Sequence, residues 1–260
     1  MNIPNELEKR YGKRHLSYSS LKQALGDPMN FDRYMKGELK YESTALSFGT
    51  LYDMLLFERD KAMDTFVILD NDRILSECSD KTKASKKPEM TNEYKAVKDR
   101  IKEEIEQEGK LICSTDDWRQ ANEMIDRLSD CGLIGSHLQG KYQVEFNEEL
   151  DGIEVKGFLD CLGADYISDS KSTMSVNKFR YSVRDFSYDI QAYIYTKVFD
   201  VKDFYWVVQE KSYPYLPALV KCSENTLFAG EMKFQSAVSA IERFLSDPKD
   251  FSQYYVEYEV

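Results

Sequence analysis

The sequence contains few of the residues that build several common kinds of functional site. Its two histidines, His15 and His137, lie in no ligand or triad pattern, so neither a histidine-based nuclease nor a triad hydrolase is expected. The five cysteines are scattered and include no C-x-x-C pair. A disulfide framework, a zinc site and a cysteine-ligated iron–sulfur cluster are therefore not expected, and the pattern fits a reducing compartment.

Long apolar runs are also missing. No stretch approaches the roughly 18 apolar residues that a membrane span needs. The first residues, MNIPNELEKRYGKR, have no apolar core of the kind that a secretory signal contains. We therefore expect a cytoplasmic protein with no membrane partner, in the host cytoplasm if a phage encodes it.

The net charge of −11 is unfavourable for binding nucleic acid, but it is unevenly distributed. Residues 101–150 hold twelve acidic and five basic residues. Basic groups remain at 9–14 and 81–87, and Lys178, Arg180 and Arg184 lie together further on. The composition therefore predicts weak non-specific DNA binding and allows a localised DNA path.

The order of predicted elements indicates an α/β fold with a mixed central sheet, flanking helices and a helical N-terminal half. Helices are predicted after Ser17 or Ser19, before Gly37, over 43–60, 91–108 and 188–199, after Ser114, and after a Ser223 cap. Strands are predicted at 64–70 and within 141–173, 203–211 and 215–223, with a turn at Asp151-Gly152. Residues 70–91 are predicted to form a mobile loop, within a 70–140 segment that adds an acidic helical insertion. We expect one domain over 1–260, with its catalytic sheet at 141–222.

The stretch KGFLDCLGADYISDSKST, residues 156–173, places charged residues in two predicted strands joined at Gly163-Ala164. Strand interiors are unfavourable positions for Asp and Lys. Asp169 and Lys171 are two residues apart, so both side chains should leave the same face of the sheet. Together with Asp160 they form either an ion-pair cluster or a catalytic group.

A catalytic reading requires a divalent cation. Phosphodiester hydrolysis at neutral pH needs a polarised phosphate and an activated water, and Mg²⁺ prefers carboxylate and carbonyl oxygens. Glu145, Asp160 and Asp169 on neighbouring strands, with the ammonium of Lys171, meet that need. The alternative is a surface ion pair at a sheet edge.

Two further residues lie on the predicted helix over 188–199. Gln191 and Tyr195 are four residues apart, so they share one helix face. They can contact a DNA phosphate or hold Lys171 in place. The alternative is an amphipathic helix with an incidental Gln.

In chain order, Glu145, Asp160, Asp169-Ser-Lys171 and Gln191-x-x-x-Tyr195 resemble the PD-(D/E)XK nuclease superfamily. The likeness is to its exonuclease branch, typified by phage lambda exonuclease, the nuclease domain of exonuclease VIII and RecB-type nucleases. LSYSSLKQALGDPMNF and ALSFGTLYDMLLFE are similar to upstream motifs of that branch, and FYWVVQEKSYPY to a downstream strand. The resemblance extends over nearly the whole chain, and residues 60–140 match the branch least. The resemblance implies a restriction-endonuclease-like core.

The resemblance also implies roles for these residues. Asp160, Asp169 and Glu145 would ligate Mg²⁺, with Mn²⁺ as a substitute, and the carbonyl oxygen of Ser170 would be a further ligand. Lys171 would position the attacking water or stabilise charge in the transition state. Where relatives often have His after the F-G motif, this chain has Asp53, a competent oxygen ligand whose alternatives are a helix cap or a solvated side chain.

DNA contacts are implied for a further set of residues, namely Gln191, Tyr195, Ser17, Ser19 and Arg180. Ordinary helix capping is the alternative for the two serines, since helix N-termini favour both caps and anions. Solvated surface charge is the alternative for Arg180 and for Arg184.

The activity that the resemblance implies is a Mg²⁺-dependent 5′ to 3′ exonuclease acting on double-stranded DNA ends in phage-type recombination. Relatives form rings around DNA, so a homo-oligomeric ring and a single-strand annealing partner are expected. Three alternatives remain: a nuclease of the same fold acting on single-stranded or flap DNA, a catalytically silent module that binds DNA or a partner, and a metal-independent scaffold with chance motifs.

Overall fold

The computed structural model describes residues 2–39 and 44–248. The chain divides into two compact units, the first formed by Met1–Tyr41 with Cys131–Val260 and the second by Glu42–Asp130. The helices are α1 (Ile3–Tyr11), α2 (Tyr18–Gly26), α3 (Pro28–Met35), α4 (Thr44–Phe57), α5 (Arg59–Thr65), α6 (Asn71–Ser76), α7 (Asp80–Lys83), α8 (Asn92–Gln107), α9 (Thr115–Asp130), α10 (Leu133–His137), α11 (Phe179–Asp185), α12 (Tyr188–Val198) and α13 (Glu224–Ser246). The strands are β1 (Phe66–Ile68), β2 (Leu111–Cys113), β3 (Lys141–Leu150), β4 (Ile153–Leu162), β5 (Tyr166–Thr173), β6 (Asp203–Glu210) and β7 (Pro217–Lys221).

The first unit is built on a five-stranded mixed sheet. Its strand order is β3-β4-β5-β6-β7, with β5 and β6 parallel and the other neighbours antiparallel. A parallel pair needs a crossover connection, which α11 and α12 provide. The predicted mixed central sheet flanked by helices, with a restriction-endonuclease-like core, is confirmed.

Helices α12 and α13 belong to the main core of this unit. That core includes Ile190 and Ile194 from α12 and Phe234 and Ile241 from α13, all at most 1% exposed. Gly230 lets the two helices approach closely, because a Cβ at this position would lie 2.1 Å from the carbonyl oxygen of Asp189. The helix that carries Gln191 is therefore fixed from its first turn.

Several predicted element ends are confirmed. Ser17 is the N-cap of α2, and its side chain accepts a hydrogen bond from the amide of Ser20. Asp151 and Gly152 form the β3–β4 turn with φ angles of 51° and 78°, as a two-residue hairpin requires. Ser223 caps α13.

The second unit is mainly helical and contains a two-stranded parallel sheet of β1 and β2. The prediction of a mobile loop over residues 70–91 is wrong, because α6, α7 and a 3-10 turn at Pro88–Met90 occupy it. Side-chain caps stabilise these short elements: Asp70 caps α6 and Ser79 caps α7. Glu93 accepts hydrogen bonds from Ser79 and Thr82. Polar residues that indicated a loop are helix caps here.

Among residues 2–39 and 44–248, no helix has both the length and the apolar character needed to cross a bilayer.

Candidate active site

Strand β5 presents a carboxylate and an ammonium beside each other. Lys171 Nζ contacts Asp169 Oδ2, as expected for two residues that share one face of a strand. The side chain of Asp169 is 2% exposed and that of Lys171 is 19% exposed. The carboxylate is thus enclosed, whereas the ammonium keeps some access from outside.

Asp160, near the end of β4, reaches across to the same region. Its Oδ2 accepts a hydrogen bond of 2.8 Å from the backbone amide of Ser170. Burial, and then the negative charge of Asp169, raise the pKa of Asp160 above the usual range, and Lys171 opposes this only in part. Two carboxylates therefore lie close enough for their charges to interact, and the one ammonium of Lys171 partly balances them.

Helix α12 ties these strands together through the predicted pair Gln191 and Tyr195. Gln191 Nε2 donates to Asp169 Oδ1 at 2.8 Å and lies 3.3 Å from the hydroxyl oxygen of Tyr195. The Tyr195 hydroxyl donates to the carbonyl oxygen of Phe158 on β4 at 2.8 Å. In the described residues, Gln191 Oε1 is buried and has no hydrogen-bond partner. One helix face thus orients Asp169 and holds the strand that carries Asp160.

Tyr188, at the start of α12, is a site residue that sequence reasoning missed. Lys171 Nζ lies 5.1 Å from the centre of its ring, which is within the range of a cation–π contact. The signal was present in the spacing, because Tyr188 precedes Gln191 by three residues and so lies on the same helix face.

Gln143 is a second residue that was missed, and it takes the place expected for Glu145. Gln143 lies between Tyr142 and Val144, whose register partners Cys161 and Leu159 lie on either side of Asp160, and its Nε2 is 3.5 Å from Asp160 Oδ1. Glu145 pairs in register with Phe158. The turn predicted at Asp151-Gly152 sets this register of β3 and β4, so the position of Gln143 could have been predicted from the sequence.

Glu145 is not brought to the two aspartates. Its carboxylate forms an ion pair of 2.9 Å with Lys156, and its side chain is 56% exposed. Within residues 2–39 and 44–248, no three His, Cys, Asp or Glu side chains converge in a way that would hold a metal ion. The role of Glu145 as a ligand, direct or through water, stays a prediction.

Ser170 and Asp53 are the other two predicted metal ligands. The amide of Ser170 binds Asp160, and a metal contact from its carbonyl oxygen stays a prediction. Asp53 lies in α4, within the second unit, and its role as a ligand also stays a prediction.

The remaining predicted DNA contacts lie on the first unit. Ser17 caps α2, as the alternative for this residue supposed, and Ser19 lies in the first turn of the same helix. Arg180 is exposed, and its guanidinium lies 4.8 Å from the centre of the Tyr181 ring. Contacts of these residues with DNA stay predictions.

The two aspartates fit a Mg²⁺ site of the open kind. Mg²⁺ is usually bound by one or two carboxylates and completes its shell with water and substrate phosphate, so a third protein carboxylate is not required. Burial and then repulsion from Asp169 raise the pKa of Asp160, and a divalent cation would relieve that repulsion. Asp160 and Asp169 are therefore the residues that would hold it.

A mixed sheet with Asp160 on one strand, Asp169-x-Lys171 on the next and Gln191 on the covering helix defines the PD-(D/E)XK nuclease superfamily. Within it, the model of the PDDEXK-like domain of unknown function (DUF3799) matches residues 17–247, and this chain belongs to that family.

Comparison of structures agrees with this assignment. The chain is similar to a solved structure from Eubacterium rectale described as a "Putative exonuclease", with a TM-score of 0.64 and 18% sequence identity. The match covers 100% of this chain and 94% of that chain, and at this identity it shows the fold. No curated protein matches the sequence.

Proposed function

We propose that this protein is a Mg²⁺-dependent deoxyribonuclease that degrades double-stranded DNA from its ends in the 5′ to 3′ direction. The observation that carries the proposal is the cluster of Asp160, Asp169 and Lys171, with Asp169 oriented by Gln191. Its buried Asp169, half-buried Asp160 and partly accessible ammonium are the groups that metal-assisted phosphodiester hydrolysis needs.

Each residue of the cluster has a distinct role. Asp160 and Asp169 hold Mg²⁺, with Mn²⁺ as a substitute. When bound, the cation polarises the phosphate and lowers the pKa of a bound water. The Ser170 amide keeps Asp160 in place, and Gln191 fixes the orientation of Asp169. These fixed hydrogen bonds keep the carboxylates in position before substrate arrives.

Lys171 acts on the reacting atoms. Its ammonium lies against Asp169 and above the ring of Tyr188, so its position is set from two sides. From there it orients the attacking water or stabilises the negative charge that develops on the phosphate oxygens. A lysine suits this role because it is a compact charge with three donors.

The choice of DNA ends as substrate draws on the exonuclease branch that the motifs resemble and on the printed name of the similar solved protein. A homo-oligomeric ring would reconcile a net charge of −11 with DNA binding, since basic residues could line the channel while the outer surface stays acidic. Phage-type recombination in the cytoplasm, with a single-strand annealing protein as partner, completes the proposal.

The test is digestion of one plasmid in linear and circular form, with Mg²⁺ or with EDTA. We expect loss of linear DNA with Mg²⁺, intact circles, no cleavage in EDTA, and linear DNA left largely intact by Lys171→Ala over the same time. Release of label from a 5′-labelled strand before its 3′-labelled counterpart would support the polarity.

Other results would contradict the proposal. Cutting of circles would indicate an endonuclease, and a preference for single-stranded or flap DNA would indicate the alternative substrate class. Metal-dependent thermal stabilisation without cleavage of any DNA would favour a binding module.

A further inference from the structure

The ammonium of Lys171 borders a group of aromatic rings that leads to the surface. The ring of Tyr188 is 5.1 Å from Lys171 Nζ, and ring centres of Phe179 and Phe186 lie 6.0 and 5.7 Å from that of Tyr188. Phe179 is buried, whereas Phe186 is 49% exposed. A contact path therefore runs from an exposed ring to the candidate catalytic lysine.

The backbone fixes the position of Phe186. Its amide donates to the carbonyl oxygen of Ser182 at 2.9 Å, and its carbonyl oxygen accepts a 2.5 Å hydrogen bond from the hydroxyl of Tyr18. The next residue, Ser187, has a φ of 57° in the left-handed region, which is costly for a residue other than glycine. This turn between α11 and α12 brings the rings of Phe186 and Tyr188 together while leaving Phe186 exposed.

One lysine ammonium lies against the exposed ring. Lys22 Nζ, from α2, lies 5.1 Å from the centre of the Phe186 ring. The segment 178–186 carries three basic residues and one acidic residue, in a chain with a net charge of −11. Tyr181, 48% exposed, adds a second ring beside Arg180. Exposed rings interleaved with cations are typical of surfaces that bind single-stranded nucleic acid, where bases stack and phosphates pair with basic groups.

We propose that Phe186, with Lys22, is a base-stacking position for an unpaired nucleotide next to the phosphodiester that faces Lys171. A base inside a duplex has both faces covered, so the strand must be unpaired where it meets this ring. The site thus takes the end of a duplex whose terminal nucleotides are unpaired, and a single-stranded oligonucleotide serves as the probe for it. A protein partner fits less well, because a lysine ammonium lies against the exposed ring and the cores of protein interfaces are depleted of charged residues. This inference rests on the proposed function and refines its substrate.

The test uses single-stranded oligonucleotides with the fluorescent base 2-aminopurine at successive positions from the end, whose emission falls on stacking. Ca²⁺ replaces Mg²⁺ under conditions in which the wild-type protein is verified not to cut, so that binding is measured apart from cleavage. We expect quenching at one or two adjacent positions with the wild-type protein. Phe186→Ala should abolish it and weaken binding about 5- to 150-fold.

Two further substitutions separate stacking from packing. Phe186→Trp should keep the quenching, whereas Phe186→Leu, which keeps apolar bulk without a π face, should behave like Phe186→Ala. Phe228→Ala is the matched control, since Phe228 is a 62% exposed phenylalanine on α13, and it should bind as the wild-type protein does.

Unchanged quenching and affinity in Phe186→Ala and Phe186→Leu would overturn the inference. Equal binding of blunt duplex and single strand, independent of Phe186, would do the same. Because these measurements need no cleavage, they decide the stacking role separately from the plasmid digestion that tests the nuclease activity.

Discussion

Two lysine–carboxylate pairs in one sheet have very different surroundings. The inner pair, Lys171 with Asp169 on β5, has side chains 19% and 2% exposed. The outer pair, Lys156 with Glu145 on β4 and β3, has side chains 36% and 56% exposed. A residue pattern alone treats both as a carboxylate beside a lysine, whereas the structure distinguishes them by burial and by neighbours.

The difference shows what turns an ion pair into a candidate catalytic group. An exposed pair such as the outer one contributes about 0–1 kcal/mol to stability, and water satisfies its groups when it breaks. In the inner pair, Asp169 also accepts a hydrogen bond from Gln191. Burying charge is costly, so a buried pair is weak support for a role in stability alone. We infer that the inner pair is retained for chemistry.

Removing each lysine in turn gives the largest expected contrast. Lys171→Ala should lower the rate of cleavage of linear DNA by about 10²- to 10⁴-fold, because the group that orients water or stabilises charge is lost. Lys156→Ala should stay within about threefold of the wild-type rate, since it breaks an exposed pair. Initial rates of cleavage of end-labelled duplex DNA measure both effects. Equal losses of rate in the two variants would show that the inner and outer pairs do not differ in catalytic importance.

Removing the hydrogen bond that orients Asp169 should have a smaller effect. Gln191→Ala should raise the Mg²⁺ concentration for half-maximal cleavage, or lower the rate, by about 10- to 100-fold, as is usual for residues that orient a metal ligand. Gln235→Ala, an exposed glutamine on α13, is the matched control and should match the wild-type protein. A Gln191→Ala variant with an unchanged Mg²⁺ requirement and rate would show that the surroundings of the inner pair do not matter.

The smallest expected effect concerns the helix that supplies Gln191. Gly230→Ala places a Cβ 2.1 Å from the carbonyl oxygen of Asp189 at the start of α12, so α13 must shift away. We expect a loss of about 1–3 kcal/mol in the free energy of unfolding, measured by chemical denaturation. Gly26→Ala, at the end of α2 with nothing within 4 Å of the added Cβ, should change stability little. Equal stability of both variants would mean that the contact between α12 and α13 does not constrain α12.

The residues of the inner pair could be predicted from the sequence because their contacts follow from regular geometry. Asp169 and Lys171 are two apart on a strand, and Gln191 and Tyr195 are four apart on a helix, so each spacing fixes a shared face. The actual contacts agree with both spacings. Local periodicity is enough where both partners lie on one element.

Prediction was harder where a contact depends on two elements or on an unusual turn. Glu145 lies on a strand, but the register set by the hairpin turn pairs it with Phe158, and Gln143 is the residue whose side chain approaches Asp160. The approach of Phe186 to Tyr188 depends on the left-handed turn at Ser187, which no spacing in the sequence indicates.

The proposed site has Asp160 and Asp169 holding one divalent cation beside Lys171. Calorimetric titration of Mg²⁺ into the wild-type protein, Asp160→Asn and Lys171→Ala measures this binding without any cleavage. We predict one binding event in the wild-type protein, its loss or strong weakening in Asp160→Asn, and its retention in Lys171→Ala. Equal Mg²⁺ affinity in Asp160→Asn and the wild-type protein would contradict it.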